Sequence, residues 1–347
     1  MIISIIIGII VLSVIILAHE LGHFISAKAT GVRVEEFGLG YPPRLVSFKW
    51  GETRYSLNAI PFGGFNKLTG EEDPKEPRGL ASKKIGTRLL VISAGSMMNF
   101  LLAFLLFSTI FIFPQDAATG QVVVQEVTPD SPAALAGIRA GDIILSVNEK
   151  SVSSGNELND YIQSNLDKET AILVQHRDAT RETVQVIPRS RPPEGQGATG
   201  IVIRVLNPAY PFWKAIPLGA ARLVEILVLW VDGLLSMFTG EVAAQFLGPV
   251  GLAQLTGEVA KVGFTPLLEV AALISLILSI MNLFPLPAID GGRIAFVLLE
   301  WIRRGKRISP KTEGLVHLIG FVMLMVFMVA ITYQDIIRII SGESIIP

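Results

Sequence analysis

The sequence predicts a polytopic α-helical membrane protein, a four-span core into which a small, mostly-β domain is inserted. Three observations predict it. Half of the 347 residues are hydrophobic and only 17% are charged, an apolar balance for a soluble domain. Four long stretches carry almost no charge. Between the second and third of them lies a segment that opens on the strand-like run VVVQEV from Gln121 and continues through Ser, Pro and Gly turn signals.

The spans come in order. Met1 to Ala18 holds no charged side chain, and only His19, Glu20 and His23 interrupt the apolar run up to Ala27. A signal peptide is the competing reading, but no basic region precedes the run and no small-residue cleavage site follows it. Leu89 to Phe113 is uncharged and, at about 1.5 Å per residue, long enough to cross a hydrocarbon core of roughly 30 Å. Leu267 to Phe284 and Leu315 to Tyr333 complete the set. The loop from Lys28 to Arg88 carries eleven Lys or Arg, and Arg303, Arg304, Lys306, Arg307 and Lys311 fill the link between the last two spans. Both loops are therefore expected in the cytoplasm and the β domain outside.

Phe212 to Phe238 is apolar but carries Arg222, Glu225 and Asp232 on one helical face. We read it as an amphipathic helix at the outer interface, with a fifth span as the alternative. The connector Gly240 to Phe264 has no clear period, and the tail SGESIIP is expected to fray. Three regions follow: 1–113 with the first two spans, 120–188 as the β domain, and 212–347 with the amphipathic helix and the last two spans.

Composition also excludes functions. A net charge of -1 argues against a nucleic-acid partner, which demands clustered excess Lys and Arg. The chain has no Cys, so disulfides and thiolate metal sites are impossible and a transition metal must be held by His, Asp or Glu.

The first span ends His19-Glu20-Leu21-Gly22-His23. Residues four apart share a helix face, so both imidazoles can reach one metal while Glu20 sits beside it. Two core histidines with a capping Glu would be the plainer reading, but ionisable groups inside a span are costly and mark function. A tetrahedral zinc with one open position needs a third protein ligand. Glu225, Asp232, Glu269 and Asp290 are candidates. Depth selects Asp290: His19 lies roughly 26 Å along a helix entering from outside, and Asp290 lies similarly far down a span running the same way, whereas Glu269 begins it. Pro285 and Pro287 would unwind the chain just before Asp290. The alternative is a carboxylate capping the helix that starts at Gly291.

The run TPDSPAALAGIRAGDIILSVNEKSV resembles a PDZ domain, which implies a small barrel-like fold able to take an extended peptide tail as an added strand, or to serve only as a steric cover. HELGH in the first span, NLFPLPAIDGG in the third and the PDZ run between them resemble the bacterial site-2 proteases of the regulator-of-sigma-E-protease type. FGLG, GGFNKLTGE, GSMMNF, GPVG and EGLVHLIGF extend the similarity over nearly the whole chain. The resemblance implies a bacterial plasma-membrane zinc metalloprotease that cuts single-span membrane proteins within the lipid after a first protease has trimmed them. It implies His19, His23 and Asp290 as ligands, Glu20 as base, a membrane-associated β-hairpin at Gly63 to Leu68 with Gly63, Gly64, Phe65 and Asn66 presenting substrate, and Asn99 and Asn282 near the site. The chain departs from the family at Ile289, at Gly95-Ser96 and in GGFNKL, none of them a ligand. A non-catalytic PDZ scaffold would leave the HExxH and Asp290 unexplained, and a secondary transporter would need inverted repeats that are not seen.

Overall fold

The computed structural model describes residues 2–71, 73–193, 195–207, 209–240 and 247–341, with side-chain surroundings for all of these but 2–4, 61, 62, 115–119 and 238. The expected fraying of the tail falls outside the described residues. The chain divides into two compact units, one of Met1–Ile110 with Ile216–Pro347 and one of Phe111–Ala215.

In the first unit, helix α1 runs Ile2–Ala29. Its Ile and Leu side chains at 6, 10, 21 and 25 point outward, while Leu12, Ile15, His19 and His23 are buried. Strands β1 (Val34–Trp50) and β2 (Thr53–Leu68) follow, then helix α2 (Ile85–Ile110). Helix α2 packs on α1 so closely that a Cβ on Gly22 would lie 2.2 Å from the Ala94 carbonyl oxygen, the kind of approach small residues permit in membranes.

The two strands are long and bent, and each is used twice. The segment 34–39 pairs with both 54–57 and 64–68, while 44–50 pairs with 53–58. Four rungs result, and 64–68 is an edge. Residues directly opposite share a face. One face carries Phe37, Tyr55, Phe48 and Trp50, with ring centroids 5.4 to 6.4 Å from that of Tyr55, and Phe24 of α1 packs on it 5.0 Å from Phe37. The other face carries Glu36, bonded to Arg44 and Ser56. The expected hairpin at Gly63 to Leu68 is thus one edge of a larger sheet, because 34–39 lies between it and the rest.

Beyond the second unit come α5 (Phe212–Thr239), α6 (Pro249–Val262), α7 (Phe264–Met281), α8 (Asp290–Ile302) and α9 (Pro310–Ser341). Among the described residues, Ile5–Ala29, Ile85–Ile110, Phe264–Met281 and Pro310–Ser341 are long and apolar enough to cross a membrane. Helices α2 and α7 meet along a seam of small polar residues, where Ser275 and Ser279 donate to the carbonyls of Asn99 and Ser96 at 2.8 Å each. Helix α5 covers the stretch expected to form an amphipathic helix at the outer interface. Gly219 abuts Ser108, Leu223 packs among Phe107, Ala272 and Leu276, Arg222 pairs with Glu269 at 2.7 Å, and Trp230 reaches Phe284. Arg222 and Leu223 thus face α7, while Val224, Val228, Leu229, Val231 and Leu235 are exposed. Helix α6 occupies part of the connector that sequence left without a period. Pro249 at its first turn marks the start, but Gly251, Thr256 and Gly257 mask the pattern.

The second unit is mostly β. Strands β3 (Gln115–Val127), β4 (Ile143–Val147), β6 (Thr170–Gln175), β7 (Arg181–Val186) and β8 (Ile201–Asn207) form a sheet in the order β7-β6-β4-β3-β8, with β5 (Lys150–Ser151) on β4. Ser131 and Ser154 cap the helices α3 (Pro132–Leu135) and α4 (Gly155–Gln163). Val122, Val124, Ile144, Ile172, Val174 and Val186 form the core, the inward half of a period-two pattern. This is the expected small, mostly-β inserted domain. Its expected end at 188 falls short, since β8 pairs with β3 from Val127↔Ile201 onward and belongs to the same sheet.

Candidate metal centre

Helix α1 presents His19 and His23 on one face, one turn apart. The Nδ1–H of His23 donates to the Val91 carbonyl of α2 at 2.8 Å, which turns Nε2 toward His19. The two Nε2 atoms stand 3.1 Å apart. Asp290 is the first residue of α8, after Ile289 in extended conformation with no side-chain cap. Its Oδ2 lies 3.0 Å from His19 Nε2 and 3.1 Å from His23 Nε2.

Two imidazole nitrogens and a carboxylate oxygen converging on one point could hold a metal ion. Ligand atoms about 2.0–2.1 Å from a tetrahedral zinc stand roughly 3.3 Å apart, close to the separations seen, so these residues fit that ion. Helix α2 closes the site from behind, with Gly95 against both rings.

In front lies a cavity of about 350 Å³ lined by His19, Glu20, His23, Asp290 and the sheet edge. Gly64 sits where a Cβ would meet the Glu20 side chain at 3.4 Å, and Gly63, at φ +81°, lies against Ile16. Phe65 stacks on Tyr41. Asn66 also lines the cavity, its amide buried without a partner. Asn99 and Asn282 do not line it. Asn99 is buried in the seam between α2 and α7, and the Asn282 carbonyl accepts from Gly291 N–H at 2.7 Å in the turn before α8.

Sequence reasoning missed four contributors. Gly95 and Val91 matter only because α2 passes behind α1, which no local pattern announces. Glu71 and Arg293 are the others. Glu71 accepts from Leu68 N–H at 3.2 Å and pairs with Arg293 at 2.6 Å, so it ties the sheet edge to the helix that carries Asp290. Arg293 lies one turn beyond Asp290, and that spacing could have drawn attention to it.

A family description, Peptidase family M50, matches residues 7–327. The chain belongs to this site-2 protease family. Among similar proteins are a putative zinc metalloprotease of Clostridium acetobutylicum, 33% identical over 96% of this chain and 97% of that protein, and one of Nostoc sp., 34% identical over 93% of each. The regulator of sigma-W protease RasP of Bacillus subtilis is 27% identical over 95% of this chain and 97% of its own length. The PDZ domain of the SdrC-like protein from Listeria monocytogenes is 27% identical, covering 26% of this chain and 92% of that structure, with a TM-score of 0.22. This M50 protein is a zinc metalloprotease with membrane-spanning helices.

Proposed function

We propose that the chain hydrolyses peptide bonds within or near the membrane-spanning segments of single-span proteins, in a bacterial plasma membrane, with its metal site near the cytoplasmic side. The observation that carries this reading is the meeting of His19, His23 and Asp290, drawn from two helices 267 residues apart, beside the free sheet edge 64–68. His19, His23 and Asp290 would hold the zinc, which when bound polarises the scissile carbonyl and acidifies water. Glu20 takes a proton from the attacking water as its oxygen bonds to the carbonyl carbon, and delivers it to the amide nitrogen as the C–N bond breaks. The sheet edge holds substrate in extended form through main-chain hydrogen bonds. A substrate helix must unwind first, because helical carbonyls are engaged internally. The positive-inside pattern supports the orientation, which places the PDZ domain outside, where it binds trimmed peptide tails or excludes untrimmed substrates. The name of the sigma-W relative supports membrane-bound regulators as a substrate class.

The test is purified protein with a panel of single-span substrates, comparing wild type with Glu20→Gln. The variant should keep its zinc and lose cleavage. Wild-type cleavage by Glu20→Gln would reject Glu20 as the base.

A further inference from the structure

We infer that His317, on α9, is a positioning residue for Asp290, acting through the backbone of Ala288; the inference rests on Asp290 being a metal ligand. Helix α7 ends at Met281 and α8 begins at Asp290, so the carboxylate is aimed by the turn between them. That turn is strained. Ala288 has φ +75°, the left-handed region where a Cβ crowds the backbone. Such a conformation persists only where surrounding structure holds it.

The holding contact comes from α9. The Ala288 N–H donates to His317 Nδ1 at 3.1 Å, and two residues further on is the Asp290 carboxylate. The imidazole is itself fixed. Its ring centroid lies 5.5 Å from that of Phe296 on α8, and a Cβ on Gly292 would sit 3.2 Å from His317 Cε1. One turn along α9, Gly320 meets the same turn so closely that a Cβ there would lie 2.2 Å from Pro287 Cβ. Helix α9 is otherwise exposed along most of its apolar length. Its contact with the turn is thus a localised attachment to the metal site, and the EGLVHLIGF motif supplies both of its residues.

The test measures zinc affinity of metal-free protein by competition with a chromophoric chelator. His317→Phe keeps a flat ring against Phe296 but offers no acceptor, and should weaken zinc binding by about 10- to 100-fold, as loss of an outer partner of a metal ligand does. His317→Asn, which places a carbonyl oxygen near the Nδ1 position, should restore affinity close to wild type. Adding Ala288→Gly to His317→Phe should recover part of the loss, because glycine adopts this φ without steric cost. Gly320→Ala, which displaces α9 without altering the imidazole, should also weaken binding and serves if His317→Phe does not fold.

Wild-type affinity in a folded His317→Phe overturns the inference, as does a His317→Asn protein as weak as His317→Phe; where His317→Phe does not fold, wild-type affinity in Gly320→Ala overturns it. Asp290→Ala is measured alongside. Retained zinc in Asp290→Ala rejects the ligand reading itself, whereas its loss there with full affinity in His317→Phe rejects only the role of His317.

Discussion

A methyl group on Gly95 would lie 2.4 Å from Nε2 of His23. The same methyl would lie 2.6 Å from Cε1 of His19, so the back wall of the metal centre is the bare backbone of α2. Gly95→Ala should therefore push both rings off the metal. Alanine favours a helix over glycine by about 1 kcal/mol, so the metal-free protein should melt no lower than wild type. Zinc affinity should fall by about 10- to 100-fold. Titration with zinc and a thermal scan of the metal-free protein check the two halves separately.

In the first turn of α2, Arg88 and Glu300 form an ion pair with both side chains 8% exposed, and Arg307 bonds the second carboxylate oxygen at 3.0 Å. Removing the carboxylate leaves two guanidinium groups, one of them buried, without their partner. Glu300→Ala should destabilise the protein by about 3–5 kcal/mol. Replacing both buried partners, as Arg88→Met with Glu300→Leu, should cost less, because no buried charge is stranded. Denaturant melts of the single and double variants decide it.

Asp335 caps a helix to which it does not belong. From α9 its Oδ2 accepts from Gly251 N–H at the start of α6 at 2.8 Å, where Gly248 offers no side chain. Asp335→Ala should cost about 1–2 kcal/mol and speed amide hydrogen exchange in the first turn of α6. Unchanged exchange there would show that the contact stabilises nothing.

In the β unit, His176 sits between Asp142 at 3.0 Å and Glu182 at 3.3 Å. The Asp142 hydrogen bond, with that of Glu182, holds the imidazole above its ordinary pKa. A raised folded-state value means the protonated form is the one stabilised by folding. That contribution is fully present below about pH 6.5, the unfolded value, and is lost as pH rises through the raised one. Melting of this unit, followed by hydrogen exchange in β6 and β7 of the full chain, should weaken over that window. His176→Ala should flatten the dependence.

What was legible in the sequence follows the range of the physics. His19, Glu20 and His23 share one helix, and helical periodicity alone puts them on one face. Asp290 was reachable because topology and rise per residue place it at a matching depth, and its carboxylate does meet the two imidazoles. The four spans were legible because a membrane demands long uncharged runs. Gly95, Val91 and His317 were not, since their parts depend on which helix passes behind which, a matter of tertiary packing. Strand β8 was missed for a similar reason: its partner β3 lies more than 70 residues upstream, and nothing local to Ile201–Asn207 names it. Helix α5 was seen as amphipathic, but its charges suggested water on one side where Glu269 of α7 supplies a partner for Arg222.

The two-faced sheet beside the metal centre carries a consequence for the grammar of a substrate. A strand laid along the Gly64–Leu68 edge extends both faces at once, and its successive side chains turn alternately to the aromatic side and to the charged side. The strand it would lie beside is 64–68, so a segment of uniform greasiness, the ordinary content of a membrane span, would set every second residue beside Phe65 and Lys67, on the face that carries Glu36. A segment whose polarity alternates would satisfy both sides. Moving such an alternation by a single residue exchanges the two sets, so paired peptides of identical composition and opposite phase should be cut at unequal rates. Equal rates would show that the edge reads only the backbone.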